Sequence, residues 1–362
     1  MSSKESRIRL IPGSTFDKYV IKGFIGHGSF GDIYSCEDER DHSTWAIKIE
    51  LKTNKKTSLD KEAQILKKIQ SSPYFPVFHD YGESDEYLWL VLELLGPSLI
   101  GARRISSGSV FSASTAIRLG IEMLRCIEAF HKFGLVHRDI KPGNFLIRPS
   151  RKHPLILIDF GLSKAFLDDN GEMIPPRDSP GFVGTVPYAS FNAHKGLELG
   201  CCDDLFSWFV VLLKIHAGEL PWPTVNNKDV VLVAKKEANI ANFCEGLPHQ
   251  YIIMYRLILS MKRDDIPNYS LFYQLLGEAM VDTNSSFMDR FDWELSPDEI
   301  IRTATTISLA MPRGELPEPP SDFPSDLVQR LMKKPEVPEE KNEDTNDTPS
   351  YSDDVDGCGC RI

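Results

Sequence analysis

The chain has no C-x-x-C pair, no concentrated basic patch and no apolar run approaching the roughly 18 residues that a membrane helix needs. Each absence removes a class of protein. The seven cysteines (Cys36, Cys126, Cys201, Cys202, Cys244, Cys358 and Cys360) are odd in number, which argues against a disulfide framework or a zinc ribbon and fits a reducing compartment. With a net charge of −11 and no basic footprint, no nucleic acid is expected as a partner. The first residues, Met1 to Arg7, are charged and lack an apolar core, so no signal peptide is expected. A cytoplasmic protein follows, with the nucleus also open, and neither a transmembrane segment nor an oligomer is expected: the reading is of a monomer.

What is present is a soluble-type composition of 41% hydrophobic and 26% charged residues over 362 residues, enough for two lobes with their own cores. Charge is unevenly placed. Between Pro335 and Ile362 nine acidic residues stand against Lys341 and Arg361. Proline and acid dominate after about residue 313, and this stretch reads as a disordered tail. Cys358 and Cys360 do not form a prenylation box, because Gly359 occupies the fourth position from the end.

The chemistry gathers at His137, Arg138, Asp139, Lys141 and Asn144, followed fifteen residues later by Asp159, Phe160 and Gly161. Carboxylate, ammonium and amide within six residues, plus a second carboxylate after an apolar run, are the groups needed to move a metal-bound phosphoryl group. The chain upstream supplies further parts. Residues 19–25 are β-prone, Gly26, His27, Gly28, Ser29, Phe30 and Gly31 interrupt them, and strand character resumes at 32–36. A lone G-x-G-x-x-G is weak, but strand after the glycines excludes the helix that a dinucleotide fold would open there. Glycines let backbone N–H groups approach phosphates. A strand over 45–51 then presents Lys48, and a helix with Leu59, Ala63, Leu66 and Ile69 on one stripe carries Glu62 beside it, so that an ion pair between Lys48 and Glu62 would orient the ammonium toward the α- and β-phosphates.

A strand over 88–95 stops at Gly96 and Pro97, a hinge whose main chain at Glu93 and Leu95 is a candidate holder of an adenine ring. A helix over 112–130 is assigned to the core. Two short strands between Asn144 and Asp159 would return those residues to each other as oxygen ligands of Mg²⁺. Asp139 would take the hydroxyl proton, Lys141 would neutralise the transferring group, and Thr185 could hydrogen-bond both. His137 reads as packing. Asp204 begins a helix over 204–217 that is apolar all round, and either braces the loop at 137–144 or caps its helix. Further helices are expected over 227–240, 250–262, 269–280 and 297–310.

These residues resemble the eukaryotic protein kinases of the casein kinase I superfamily, from about Tyr19 to Leu309. Gly26-His-Gly-Ser-Phe-Gly-Asp-Ile-Tyr34, Glu93-Leu-Leu-Gly-Pro-Ser-Leu99, the run from His137 to Leu146 and Asp159-Phe-Gly-Leu-Ser-Lys164 match the family, and Tyr188-Ala-Ser190 stands where most other kinases carry Ala-Pro-Glu. Pro175-Pro-Arg177, Asn192-Ala-His-Lys195, Leu220-Pro-Trp222 and Phe291-Asp-Trp-Glu294 look most like the tau-tubulin kinase branch. The resemblance implies an α+β bilobal fold: a leader over 1–18, a β-rich N-lobe over 19–95, a helical C-lobe over 96–312 and the acidic tail over 313–362. It implies ATP with Mg²⁺, Mn²⁺ being a possible substitute, and protein Ser/Thr hydroxyls as acceptors. It adds Ile25, Ile33, Ala46, Leu92 and Leu146 to the nucleotide site.

The chain departs from its relatives at Val183, Pro187, Cys201 and Cys202, where they tend to place bases around a substrate-anion site, while Arg177, His194 and Lys195 remain. A weaker dependence on acidic or pre-phosphorylated substrates is the expectation. The alternative function is a pseudokinase scaffold that binds nucleotide or partners without transfer. Such scaffolds usually lose one of the Lys or Asp elements, and here Lys48, Asp139, Asn144 and Asp159 all stand. A small-molecule kinase would share Asp139 and Asn144, but Asp-Phe-Gly and the long segment after it favour a protein acceptor.

Overall fold

A computed structural model describes residues 8–28, 31–52, 59–105, 110–294, 312 and 314–333. The smaller lobe is one antiparallel sheet of β1 (Thr15–Phe16), β2 (Tyr19–His27), β3 (Gly31–Asp38), β4 (Thr44–Leu51), β5 (Phe78–Glu83) and β6 (Tyr87–Glu93), in the order β1-β2-β3-β4-β6-β5. Alternation along the strands divides its two faces. Tyr19, Ile21, Tyr34, Cys36, Ile47, Ile49, Trp89 and Val91 form a closed cluster on one of them. The other carries Leu88 and Leu90 against α1 (Leu59–Ile69), whose Leu59, Ala63, Leu66 and Ile69 are buried. The capping pattern at Thr57 and Ser58 lies outside the described residues.

The leader is not loose over its described part. Ile8, Leu10 and Phe16 cover the Tyr34 cluster, the Tyr34 hydroxyl donates to the carbonyl of Ile8 at 2.9 Å, and Thr15 pairs with Val20. Three apolar residues in a charged stretch sufficed to dock it. The hinge strand ends at Glu93, two residues before the expected Leu95; the chain then runs extended, with Gly96 N–H donating to Ile147 at 2.8 Å and Ile147 N–H to Pro97 at 2.9 Å.

The larger lobe contains α2 (Leu99–Ile105), α3 (Ala113–Lys132), β7 (Leu135–Val136), β8 (Phe145–Ile147), β9 (Leu155–Leu157), β10 (Lys164–Ala165), α4 (Phe191–His194), α5 (Cys201–Ala217), α6 (Lys228–Glu237), α7 (Ile240–Phe243), α8 (Gln250–Ser260), α9 (Tyr269–Asp282) and α10 (Ser325–Leu331). Ser112 caps α3 by accepting from Thr115 N–H at 3.2 Å. Helix α5 is buried nearly all round and runs beside α3, where Trp208 Nε1 donates to the Gly120 carbonyl at 2.9 Å. The helix expected over 227–240 is two helices, because Asn239 caps a second one through Asn242 N–H. The helix expected over 297–310 lies outside the described residues.

The disordered tail expected from residue 313 is corrected over 314–333. There Phe323, Leu327 and Leu331 are buried, and a Cβ added at Gly277 of α9 would collide with Leu327 and Phe323. Leu327 and Leu331 give α10 a face to bury, with Phe323 just before it, which the proline and acid around them concealed. No helix among the described residues is long and apolar enough to cross a membrane.

Candidate active site

The glycine turn closes tightly on Lys48. Gly28 N–H donates to the Gly31 carbonyl at 2.8 Å, and a Cβ at Gly28 would lie 3.4 Å from Lys48 Cε. At Gly31 a Cβ would sit 2.1 Å from the Ile49 carbonyl oxygen, so only glycine fits beside β4. At Gly26 it would meet nothing within 4 Å, and His27 is exposed with its Nδ1 2.7 Å from Asp32 Oδ1. Ser29 and Phe30 lie outside the described residues. Ile33 pairs with Lys48, and Ala46 with Leu92. Ile25, Ile33, Ala46, Leu92 and Leu146 are all half-buried.

Lys48 donates to Glu62 Oε2 at 2.6 Å, with Glu50 Oε1 3.7 Å away. Burial opposes the charge on Lys48, but Glu62, Asp159 and Glu50 outweigh it and hold the ammonium's pKa above its usual value. The pair is nearly closed to water, both side chains being at most 10% exposed. The connector is fixed through Glu93, whose carboxylate accepts from Arg148 Nε at 2.8 Å and from Val77 N–H at 3.1 Å, and Leu95 beyond it is buried.

Below the cleft the chain between β7 and β8 is held by Asp204, which accepts from His137 N–H at 2.7 Å, Arg138 N–H at 2.8 Å and His131 Nε2 at 2.9 Å. Bracing is therefore the role of Asp204, and capping of α5 falls to Asp203, which accepts from Gly200 N–H at 2.8 Å. The brace holds Arg138 at φ 69°, a left-handed conformation unusual for a side-chain-bearing residue. His137 packs against both Phe130 and Phe160; its Nε2 donates to the Ile158 carbonyl at 3.0 Å, and its Nδ1 accepts from Asp139 N–H at 3.2 Å.

Asp139 is surrounded by donors. Lys141 Nζ reaches Oδ2 at 2.5 Å, Thr185 Oγ1 donates to Oδ1 at 2.6 Å, and Asn144 Nδ2 donates to the Asp139 carbonyl at 2.9 Å. Lys141 also approaches Thr185 Oγ1 at 3.4 Å. The β8–β9 hairpin returns Ile158 N–H to the Asn144 carbonyl at 3.0 Å, which sets Asp159 beside Asn144. Phe160 is fully buried and stacks on Phe130 at 5.1 Å. Asp159 itself takes φ 68°.

Two side-chain oxygens suit an ion that keeps waters and substrate phosphates in its shell rather than a closed protein cage. Among the described residues no three His, Cys, Asp or Glu side chains gather around a metal position. The open space at Gly26, the charged Lys48 and the adjacent Asn144 and Asp159 together fit a nucleotide phosphate chain with its magnesium.

A protein kinase domain model matches residues 19–273. The chain belongs to the protein kinase family. It is also similar to a probable serine/threonine-protein kinase of Dictyostelium discoideum, 38% identical over 280 residues, which cover 77% of this chain and 57% of that relative. This kinase thus spans less than two thirds of the relative's length.

Cys201, Cys202 and Pro187 are buried and present no surface to a substrate, while Val183 is half-buried. Arg177 binds Glu198 through Nε at 2.6 Å and Nη2 at 3.1 Å; Lys164 binds the same carboxylate at 2.7 Å, and Arg138 lies 3.8 Å away. Of the three bases noted from the sequence His194 is buried, while Arg177 and Lys195 are exposed. Side-chain hydrogen bonds, first from Arg177, draw the Glu198 carboxyl down to about 2 despite its burial. Sequence reading missed Glu198 because a lone Gly-Leu-Glu gives no pattern. It missed Arg148 and Asp203 for the same reason, although the Asp-Asp doublet at the start of α5 could have pointed to two separate tasks.

Proposed function

We propose that this kinase transfers the γ-phosphoryl group of ATP to serine and threonine hydroxyls of proteins, and that it is a casein kinase I type enzyme most like the tau-tubulin kinase branch. The observation that carries the reading is the Asp139 carboxylate held by both Lys141 and Thr185. Asp139 accepts the proton of the acceptor hydroxyl as its oxygen bonds to the γ-phosphorus and the bond to ADP breaks. Lys141 lies where charge on the transferred group needs neutralising, and Thr185 keeps Asp139 aimed. Lys48, oriented by Glu62, holds the α- and β-phosphates; Gly26, Gly28 and Gly31 give them backbone access; Glu93 and Leu95 offer the connector's main chain to the adenine. Asn144 and Asp159 would hold Mg²⁺, which when bound offsets the charge of the phosphate oxygens.

The probable serine/threonine kinase among its relatives supports the acceptor class, as does a lysine two residues after Asp139. The branch rests on the sequence resemblance above. A weak demand for acidic or phosphorylated substrates is supported by the burial of His194 and by Val183 and Pro187 standing where relatives carry bases. A degenerate peptide library tests this: flat selection upstream of the target is the expected result, and strong selection for phosphoserine, Asp or Glu there would overturn it.

A further inference from the structure

Lys235 of α6 is only 2% exposed, yet no carboxylate pairs with it among the described residues. Its Nζ donates to the Ala189 carbonyl at 2.6 Å and to the Val186 carbonyl at 3.2 Å, and lies 3.3 Å from His194 Nε2. The rings of Trp222 and Phe206 flank it at 5.2 and 5.7 Å. Burial pulls the ammonium down to about 7, and the carbonyls and ring faces are what hold a cation there. Burial, and after it the charge of Lys235, pulls His194 down to about 4, so its imidazole is uncharged at neutral pH and can accept through Nε2.

These bonds converge on one stretch of backbone. Trp222 Nε1 donates to the Pro187 carbonyl at 2.9 Å, so α6 and the turn before it bind the carbonyls of Val186, Pro187 and Ala189 together. The Thr185 carbonyl accepts from Tyr188 and Ala189 N–H at 2.9 and 3.0 Å. Gly184, at φ 110°, lets the chain pass where a Cβ would come 2.8 Å from the Arg138 carbonyl oxygen. The segment is pinned by Lys235 and Trp222 through its carbonyls and by Thr185 on Asp139.

We propose that Lys235 is a positioning residue for the protein acceptor: its buried Nζ, donating to the Val186 and Ala189 carbonyls, fixes the backbone of residues 186–189, and with it the floor on which an acceptor chain lies beside Asp139. The inference rests on the proposed protein-kinase reading and adds to it a residue that touches neither substrate nor nucleotide. A methionine at 235 would fill the same space but take a donor from two buried carbonyls, so the segment would shift to find water.

The test is steady-state kinetics of the full chain with dephosphorylated casein as acceptor. Lys235→Met is expected to raise KM for casein about tenfold, the equivalent of the two lost hydrogen bonds, while KM for ATP stays within about twofold. Lys235→Arg, which keeps donors, is expected to recover part of that loss. Trp222→Phe removes the Pro187 bond and is expected to shift KM for casein in the same direction by about threefold; it carries the test if Lys235→Met does not fold. Equal changes in both KM values, or no change in either, would overturn the proposal. If the wild type labels no serine or threonine at all, the protein-kinase reading fails and this one with it.

Discussion

Arg138 N–H and Asp204 Oδ1 lie 2.8 Å apart, although 66 positions separate them in the chain. That bond, with its neighbour from His137 to the same carboxylate, holds Arg138 in a left-handed conformation one residue before Asp139. Positioning of the Asp139 carboxylate therefore begins at a buried helix of the large lobe. Asp204→Ala is expected to lower kcat about 100-fold, with a loss of roughly 2 to 3 kcal/mol in stability from three orphaned donors. Thermal unfolding and kinetics together check it; unchanged kcat would mean that the loop holds itself.

The ion pair of Lys48 and Glu62 sits at 2.6 Å in a nearly dry site, so each partner's loss leaves the other charge buried. Lys48→Met is expected to lower kcat by about 10²–10³ and Glu62→Gln by about tenfold less, since the latter leaves the cation in place but unaimed. Rapid-quench transfer assays distinguish them. Equal losses would indicate that Glu62 acts as more than an orienting group.

Thr185 donates a 2.6 Å hydrogen bond to Asp139. A bond to a charged acceptor contributes about 1.5–3 kcal/mol, so Thr185→Val is expected to cut kcat about tenfold or more. Thr185→Ser, which keeps the hydroxyl, should remain near wild type. Equal activity of Val and Ser variants would contradict the assignment.

Glu198 gives a pH signature. Its carboxyl titrates near 2 in the folded protein, against an ordinary glutamate value of about 4.3. A carboxyl lowered by folding stabilises fully above the unfolded value and loses that contribution as pH falls through the folded one. Glu198→Gln should therefore melt several degrees below wild type at pH 7, with the gap narrowing below about pH 4 and closing toward pH 2. Scanning fluorimetry from pH 3 to 7 reads the trend, and a gap that stays constant with pH would count against it.

Much of this organisation was legible because it is local in sequence. Asp139, Lys141 and Asn144 fall within six residues, and alternation in β4 placed Lys48 on the face opposite Ile47 and Ile49. What escaped was long-range. Glu198 meets Lys164 and Arg177 across 34 and 21 positions, and Lys235 reaches Val186 across 49; no local pattern encodes such encounters. Burial misled as well: Cys201 and Cys202 stand where an acceptor surface was expected, but the first turn of α5 turns them inward beneath it. The segment from 314 to 333 read as tail because the apolar residues that become buried, Phe323, Leu327 and Leu331, make too short a stripe among prolines and acids to outweigh composition.

The most direct measurement is phosphoryl transfer from radiolabelled ATP, with Mg²⁺, to a mixed protein substrate by the wild type and by Asp139→Asn, followed by phosphoamino-acid analysis. Label on serine and threonine with the wild type, and a fall of at least about 100-fold with Asp139→Asn, is the predicted result. No transfer by the wild type, or equal transfer by the variant, would contradict the account.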